Sequence, residues 1–145
     1  MHPIDHEEIE NLLGRKPQGC YEVVVRNSNG EARVIRNDPF LDDGTPMPTL
    51  YWLVDPAERR YVSRLESRGA IREVEALIGL GRIAKTHTQY SHERDRYITE
   101  HHSGPKPSGG VGGTRKGIKC LHAHYAYYLA GGDDPVGAWV AANIQ

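Results

Sequence analysis

The densest run of groups able to do chemistry is Gly109-Gly110-Val111-Gly112-Gly113-Thr114-Arg115-Lys116-Gly117-Ile118-Lys119-Cys120-Leu121-His122. A glycine-rich loop here enters a predicted helix, with Arg115, Lys116 and Lys119 at its start. Unpaired N–H groups and the positive dipole end at a helix N-terminus attract anions, and glycine lets backbone approach a phosphate closely. The spacing is not that of a P-loop, because no Gly-Lys-Ser/Thr closes it. It also departs from the dinucleotide fingerprint, since Arg115 stands where the third glycine belongs. The same composition also describes a mobile linker carrying solvated charge.

Cys120 lies beside that helix start, where dipole and cations favour a thiolate. At about 100° per residue, Ile118, Leu121, Tyr125, Tyr128 and Leu129 share one side, while Cys120, His124 and Tyr127 point the other way. Either both sides are covered or Cys120 faces a cleft. A nucleophilic Cys120 with a histidine base such as His122 is one chemistry this allows, and a packed, inert cysteine is another. Cys120 and His124, four apart, could share a metal ion; Cys120 and His122 point too far apart on a helix to do so.

A second group lies on the predicted helix over 82–101, whose stripe Ile83, His87, Tyr90, Arg94, Tyr97, Ile98 and His101 mixes polar groups into an apolar face. Buried polar groups must be paired or must line a cleft, because an unpaired buried charge is costly. Arg64 and Glu66 flank Leu65 and read first as surface or hinge ion-pair partners. Asp42-Asp43-Gly44 offers two carboxylates but reads as a plain turn.

The elements that must position these groups follow from pattern. Asp5 and Glu8 suggest a capped helix over 5–13 with Ile9, Leu12 and Leu13 inward. Strands over 21–26 and 31–36 flank the turn at Asn27–Gly30. Residues 37–48 hold three prolines and read as a loop that excludes a central strand; 49–54 reads as a buried strand. Asp55-Pro56 starts a helix to about Ser67 with Tyr61, Val62 and Leu65 inward. A helix over 70–78 puts Ile71, Val74, Leu77 and Ile78 on one face. The chain then reads as the helix over 82–101, a flexible Gly-rich loop over 103–117, a helix over 118–130, and a last helix from Asp134-Pro135 to Ile144.

These elements fit one domain over 1–145, with a β-unit at 20–54 and a helical part at 55–145. The class is α+β: about three antiparallel strands packed against five or six helices. With 145 residues the chain can bury a core unaided. Eighteen Lys plus Arg against 19 Asp plus Glu argue against a nucleic-acid-coating protein. The longest apolar runs are too short for a bilayer, the first ten residues carry no apolar leader, and two cysteines make no disulfide framework. The expectation is a soluble cytoplasmic protein.

Four separated strings carry a resemblance. They are Asp43-Gly44-Thr45-Pro46-Met47-Pro48-Thr49-Leu50-Tyr51-Trp52-Leu53, Ser63-Arg64-Leu65-Glu66-Ser67, Lys119-Cys120-Leu121-His122, and His87, Tyr90, Arg94 and Asp95 at His-x-x-Tyr-x-x-x-Arg-Asp spacing. Together, from Gly14 to about Gly137, they resemble an uncharacterised bacterial family, typical of actinobacteria, catalogued as domain of unknown function 501. The resemblance implies no activity and no cofactor. Its members' genes often lie beside those for a cell-division initiator and an exopolyphosphatase, which points to phosphate metabolism or division. Members often carry a histidine where Tyr127 stands, which weakens a metal role for the Cys120 face.

The leading expectation is a site for an anionic, phosphate-containing small molecule, built from the 109–117 loop. Arg115, Lys116 and Lys119 would join Arg94, Tyr90 and Arg64 as ligand-binding groups, with His87, His122 and Cys120 as candidate catalytic groups. The rivals are an interaction or scaffold protein, with homo-oligomerisation left open, and a metal-binding protein using Cys120 and His124. No membrane or nucleic-acid partner is expected.

Overall fold

β2 (Ala32–Leu41) is the axis around which the rest is placed. It pairs antiparallel with β1 (Gly19–Arg26) on one side and β3 (Tyr51–Leu53) on the other, giving the order β1-β2-β3. The computed structural model describes residues 3–144, so Met1, His2 and Gln145 lie outside it. Ile35 and Val34 face opposite sides of the sheet, and a register jump between Val34 and Ala32 brings Ala32 to the Ile35 side. α1 (Pro3–Leu13) covers the first face with Ile9, against Tyr21, Ala32, Ile35 and Val54. The second face packs on α2 (Pro56–Ser67), α3 (Ala70–Ile78), α4 (Leu80–Asp95), α5 (Leu121–Leu129) and α6 (Pro135–Asn143), through Val34, Tyr51 and Leu53. The expected α+β class, with three strands and six helices among the described residues, is what the chain adopts. None of these helices is long and apolar enough to cross a membrane.

Several boundaries differ from the sequence reading, each for a local reason. The first helix starts at Pro3, so Asp5 is not its cap. Asp5 and Glu8 instead reach Arg26 at 2.8 and 3.1 Å and tie the helix to the sheet. Asn37–Leu41 is strand, not loop, despite Pro39. The β1 register jumps opposite this stretch and β3 pairs only with Val34–Arg36, so Pro39 has no ladder donor to lose. Its carbonyl accepts the Met47 amide at 2.8 Å, folding Thr45–Met47 back on β2 around the Asp43-Gly44 turn.

α4 ends at Asp95 rather than near His101, and α5 starts at Leu121 rather than Ile118. Lys119 and Cys120 therefore precede α5, and helical-wheel angles do not apply to them. Tyr61 and Leu77, expected inward, are 37% and 64% exposed. Tyr128, placed on the apolar side of α5, is exposed, while Tyr127 is buried. α5 is in fact covered nearly all round. Gly137 of α6 sits so close that a Cβ there would meet the His124 backbone and the Tyr128 side chain.

The loop over 103–117 is not a free linker. Val111 is fully buried in a 3-10 turn (Val111–Gly113). Gly110 lies against α4, where an added Cβ would come 2.6 Å from the His87 Cα. The glycine at 110 thus serves helix contact rather than phosphate approach.

Candidate functional site

α2 explains where positive charge gathers. Val62 and Leu65 face the core, so helical geometry turns Arg59, Arg60, Ser63 and Arg64 to the other side. Asp55 caps this helix by accepting the Glu58 amide, and Pro56 opens its first turn. Arg15, just past α1, stacks over Trp52 at 5.4 Å. Lys119 arrives immediately before α5. These elements enclose a cleft of about 1000 Å³, with Thr49, Tyr51, Trp52 and Leu53 along it. Five cationic side chains line it, Arg15, Arg59, Arg60, Arg64 and Lys119, and among the described residues no carboxylate does. None of the five is ion-paired among the described residues. In a chain of net charge −1 this is a strong local excess, which raises the concentration of anions in the cleft.

One end of the cleft carries Cys120 and His122, with Glu66 of α2 beside them. Cys120 is the N-cap residue of α5, but its side chain makes no capping hydrogen bond. Glu66 takes that role: its Oε2 accepts the Leu121 amide at 2.7 Å. His122 Nε2 lies 3.2 Å from both the Arg59 carbonyl and the Ser63 Oγ, and Nδ1 lies 3.4 Å from Glu66 Oε2. Burial pushes the Cys120 thiol above its ordinary value; the nearby Ala123 and His122 amides and Lys119 pull it down, and the Glu66 charge adds to the rise. Helix-start chemistry alone would have favoured the thiolate, so here desolvation outweighs the dipole.

Four of the sequence-derived site residues, Arg64, Lys119, Cys120 and His122, meet in this cleft. The others do not join them. His87, Arg94 and Arg115 border a separate, smaller hollow, and Lys116 is exposed and borders neither. His87 donates from Nε2 to the Gly117 carbonyl at 2.7 Å and accepts the Val111 amide on Nδ1 at 3.0 Å. Both ring nitrogens are thus held by backbone in the neutral tautomer, and burial lowers its pKa below the ordinary histidine value, against the opposing Gly117 carbonyl. Arg94 is 1% exposed and donates to the carbonyls of Pro48, Gly109 and Pro107 and to Ser91 Oγ, with Asp95 beside it. Tyr90 is fully buried and its hydroxyl accepts the Leu50 and Tyr51 amides at 2.6 and 3.1 Å. The polar stripe of α4 is therefore a staple that holds β3 and the glycine loop, and its donors already have partners.

His124 is equally internal. Its Nδ1 meets Asp134 Oδ2 at 2.6 Å, and Asp134 Oδ1 caps α6 through the Val136 and Gly137 amides. With Cys120 in extended backbone ahead of α5, the helical i, i+4 geometry for a Cys120–His124 metal pair does not form. Among the described residues, the ligand-type atoms of a group of three that gather within 4.8 Å of one another belong to Glu66, Cys120 and His122.

A family described as protein of unknown function (DUF501) has a profile that matches residues 23–142. The chain belongs to this family. The DUF501 match takes in the whole second-face core and every cleft residue except Leu13 and Arg15, which lie ahead of it. No curated protein and no solved structure matches the DUF501 chain.

The sequence reading missed Arg15, Arg59, Arg60, Ser63 and Glu66. The signal for two of them was present: Arg59 and Arg60 fall with Arg64 on one helical face opposite Val62 and Leu65.

Proposed function

We propose that this DUF501 protein binds an anionic, phosphate-bearing small molecule in the cleft between α2, β3 and the start of α5. The observation that carries this reading is the lining itself: five unpaired cationic side chains and no carboxylate among the described residues. Cationic groups that line one cleft without carboxylate partners attract a multiply charged anion together. Arginine also meets phosphate oxygens through two parallel hydrogen bonds. Arg59, Arg60 and Arg64 form one wall, and Lys119 approaches from the opposite element. The ligand-binding groups are thus Arg59, Arg60, Arg64, Lys119 and Arg15, and the 109–117 loop supplies the cleft only through Gly112. A small solute in the cytoplasm of a bacterial cell is the setting this reading implies.

The test is a thermal-shift series on purified protein with inorganic phosphate, pyrophosphate and nucleoside phosphates, with chloride as the reference anion. A ligand present at about 100 times its dissociation constant stabilises the folded state by about 2.7 kcal/mol. For a domain of this size that is a rise of roughly 5–10 °C. A rise with phosphate-bearing anions that is absent in the Arg60→Ala, Arg64→Ala double variant supports the reading. No rise with any of them, or an equal rise in that variant, overturns it.

A further inference from the structure

The Glu66, Cys120 and His122 cluster can be satisfied in two ways: by a protonated His122 donating to Glu66, or by a cation held by all three residues. A carbonyl oxygen can only accept, so a hydrogen bond between His122 Nε2 and the Arg59 carbonyl requires the proton on Nε2. In neutral imidazole that leaves Nδ1 with a bare lone pair. Nδ1 lies 3.4 Å from Glu66 Oε2, itself an acceptor already taking the Leu121 amide. Two acceptors thus face each other, with the Cys120 sulfur within 4.8 Å of the ligand-type atoms of both residues. A cation between them satisfies all three.

We infer that Glu66, Cys120 and His122 form a binding site for a zinc-type divalent cation, through the carboxylate, the sulfur and Nδ1. The donor set of one thiolate, one imidazole and one carboxylate is the mixed set that suits zinc. Zinc bonds of about 2.0–2.3 Å require the three atoms to close in somewhat, which side-chain rotation provides. The surroundings match what a metal-bound histidine needs. Nε2–H is held by the Arg59 carbonyl and Ser63 Oγ, which fixes tautomer and ring orientation, and the Leu121 amide holds the carboxylate. Cys120 is the α5 N-cap residue but makes no capping hydrogen bond, and Glu66 accepts the Leu121 amide in its place. Three protein ligands leave a fourth position, and Cys120 and His122 both line the cleft, so that position opens toward the cations. The ligand set stands on its own geometry. Only the identity of what meets the fourth position, an anion oxygen, rests on the proposed function.

The test uses full-length protein carrying Cys20→Ser, which removes the exposed second thiol, freed of metal with a chelator and titrated with cobalt(II) and zinc(II) in buffer without phosphate. The expected result is one equivalent of cobalt with a thiolate-to-metal absorption band that zinc displaces. Cys120→Ser abolishes the band, and His122→Gln weakens binding by at least roughly 100-fold, beyond the effect typical of outer partners. Glu66→Gln keeps an acceptor for the Leu121 amide, and circular dichroism checks the fold of each variant, so loss of metal is separable from loss of structure. No thiolate band in the Cys20→Ser protein, or a band that persists in Cys120→Ser, overturns the inference and leaves the cluster a plain His122–Glu66 ion pair. Because no anion is present, failure here does not bear on the thermal-shift result, and that series run on chelator-treated protein does not bear on this one.

Discussion

Glu66 Oε2 lies 2.7 Å from the Leu121 amide nitrogen, so a side chain from α2 performs the N-capping of α5. The two helices that frame the basic cleft are therefore locked together at the cleft itself. Loss of a capping side chain costs about 0.5–2 kcal/mol. Glu66→Ala should lower the melting temperature of the metal-free protein by roughly 2–8 °C, and Glu66→Gln by less. Thermal denaturation followed by circular dichroism checks both.

Arg94 separates a structural arginine from a binding one. Its guanidinium holds the carbonyls of Pro48, Gly109 and Pro107 in the interior. Arg94→Met leaves those acceptors short of partners at about 1–3 kcal/mol for each group left without one. The expected outcome is a loss of at least about 3 kcal/mol in denaturant unfolding, with faster proteolysis within residues 103–110. Anion affinity of the folded fraction should stay at the wild-type value.

His87 gives the protein an acid-sensitive joint. Its folded-state pKa is below the ordinary value of 6.5, because burial disfavours the charged ring and its backbone partners hold the neutral tautomer. The unfolded chain then binds the proton more readily than the folded one. The stability contributed is complete above pH 6.5 and is lost as pH falls through the lowered folded-state value. Unfolding free energy measured from pH 7.5 down to pH 5 should fall in the wild type. The fall should be shallower in His87→Gln, which is less stable at neutral pH but has no proton to gain.

Gly110 should tolerate no side chain. The Cβ of Gly110→Ala would come 2.6 Å from the His87 Cα on α4, which is backbone and cannot step aside. Overpacking of this kind costs about 1–3 kcal/mol. Gly30→Ala has open space around it and is strained only by its φ of +82°. Paired chemical denaturation should find Gly110→Ala the more damaging.

The two thiols should differ in reactivity. Cys20 is exposed, whereas Cys120 is half-buried with its thiol favoured over the thiolate. Timed iodoacetamide labelling near neutral pH, read by peptide mass spectrometry, should modify Cys20 about tenfold or more faster.

Much of this fold can be read from residues with strong local preferences. Asp55-Pro56 and Asp134-Pro135 announce two helices, and both aspartates do cap them. Gly79 marks the α3–α4 break at a φ of +91°. β2 is not legible past Arg36, because Pro39 argues against strand unless the register jump beside it is known. The site is half legible. Lys119, Cys120 and His122 stand out because they are contiguous, and Arg64 falls in a recognisable string. His87 and Arg94 draw attention for a sound reason, since buried polar groups need partners, but sequence does not say whether those partners are ligand or backbone. Arg59 and Arg60 look like an ordinary solvated helix face. Only the approach of Arg15, β3 and Lys119 turns that face into a cleft.

The most direct test of the basic cleft is an equilibrium titration of pyrophosphate into wild type, the Arg60→Ala, Arg64→Ala variant and an Arg115→Ala, Lys116→Ala variant, each at low and high salt. Charge-assisted hydrogen bonds contribute about 1.5–3 kcal/mol each, so the cleft variant should lose at least roughly tenfold in affinity. The loop variant should bind like wild type, and wild-type binding should weaken with salt. Unaltered affinity in the cleft variant, or loss confined to the loop variant, would contradict it.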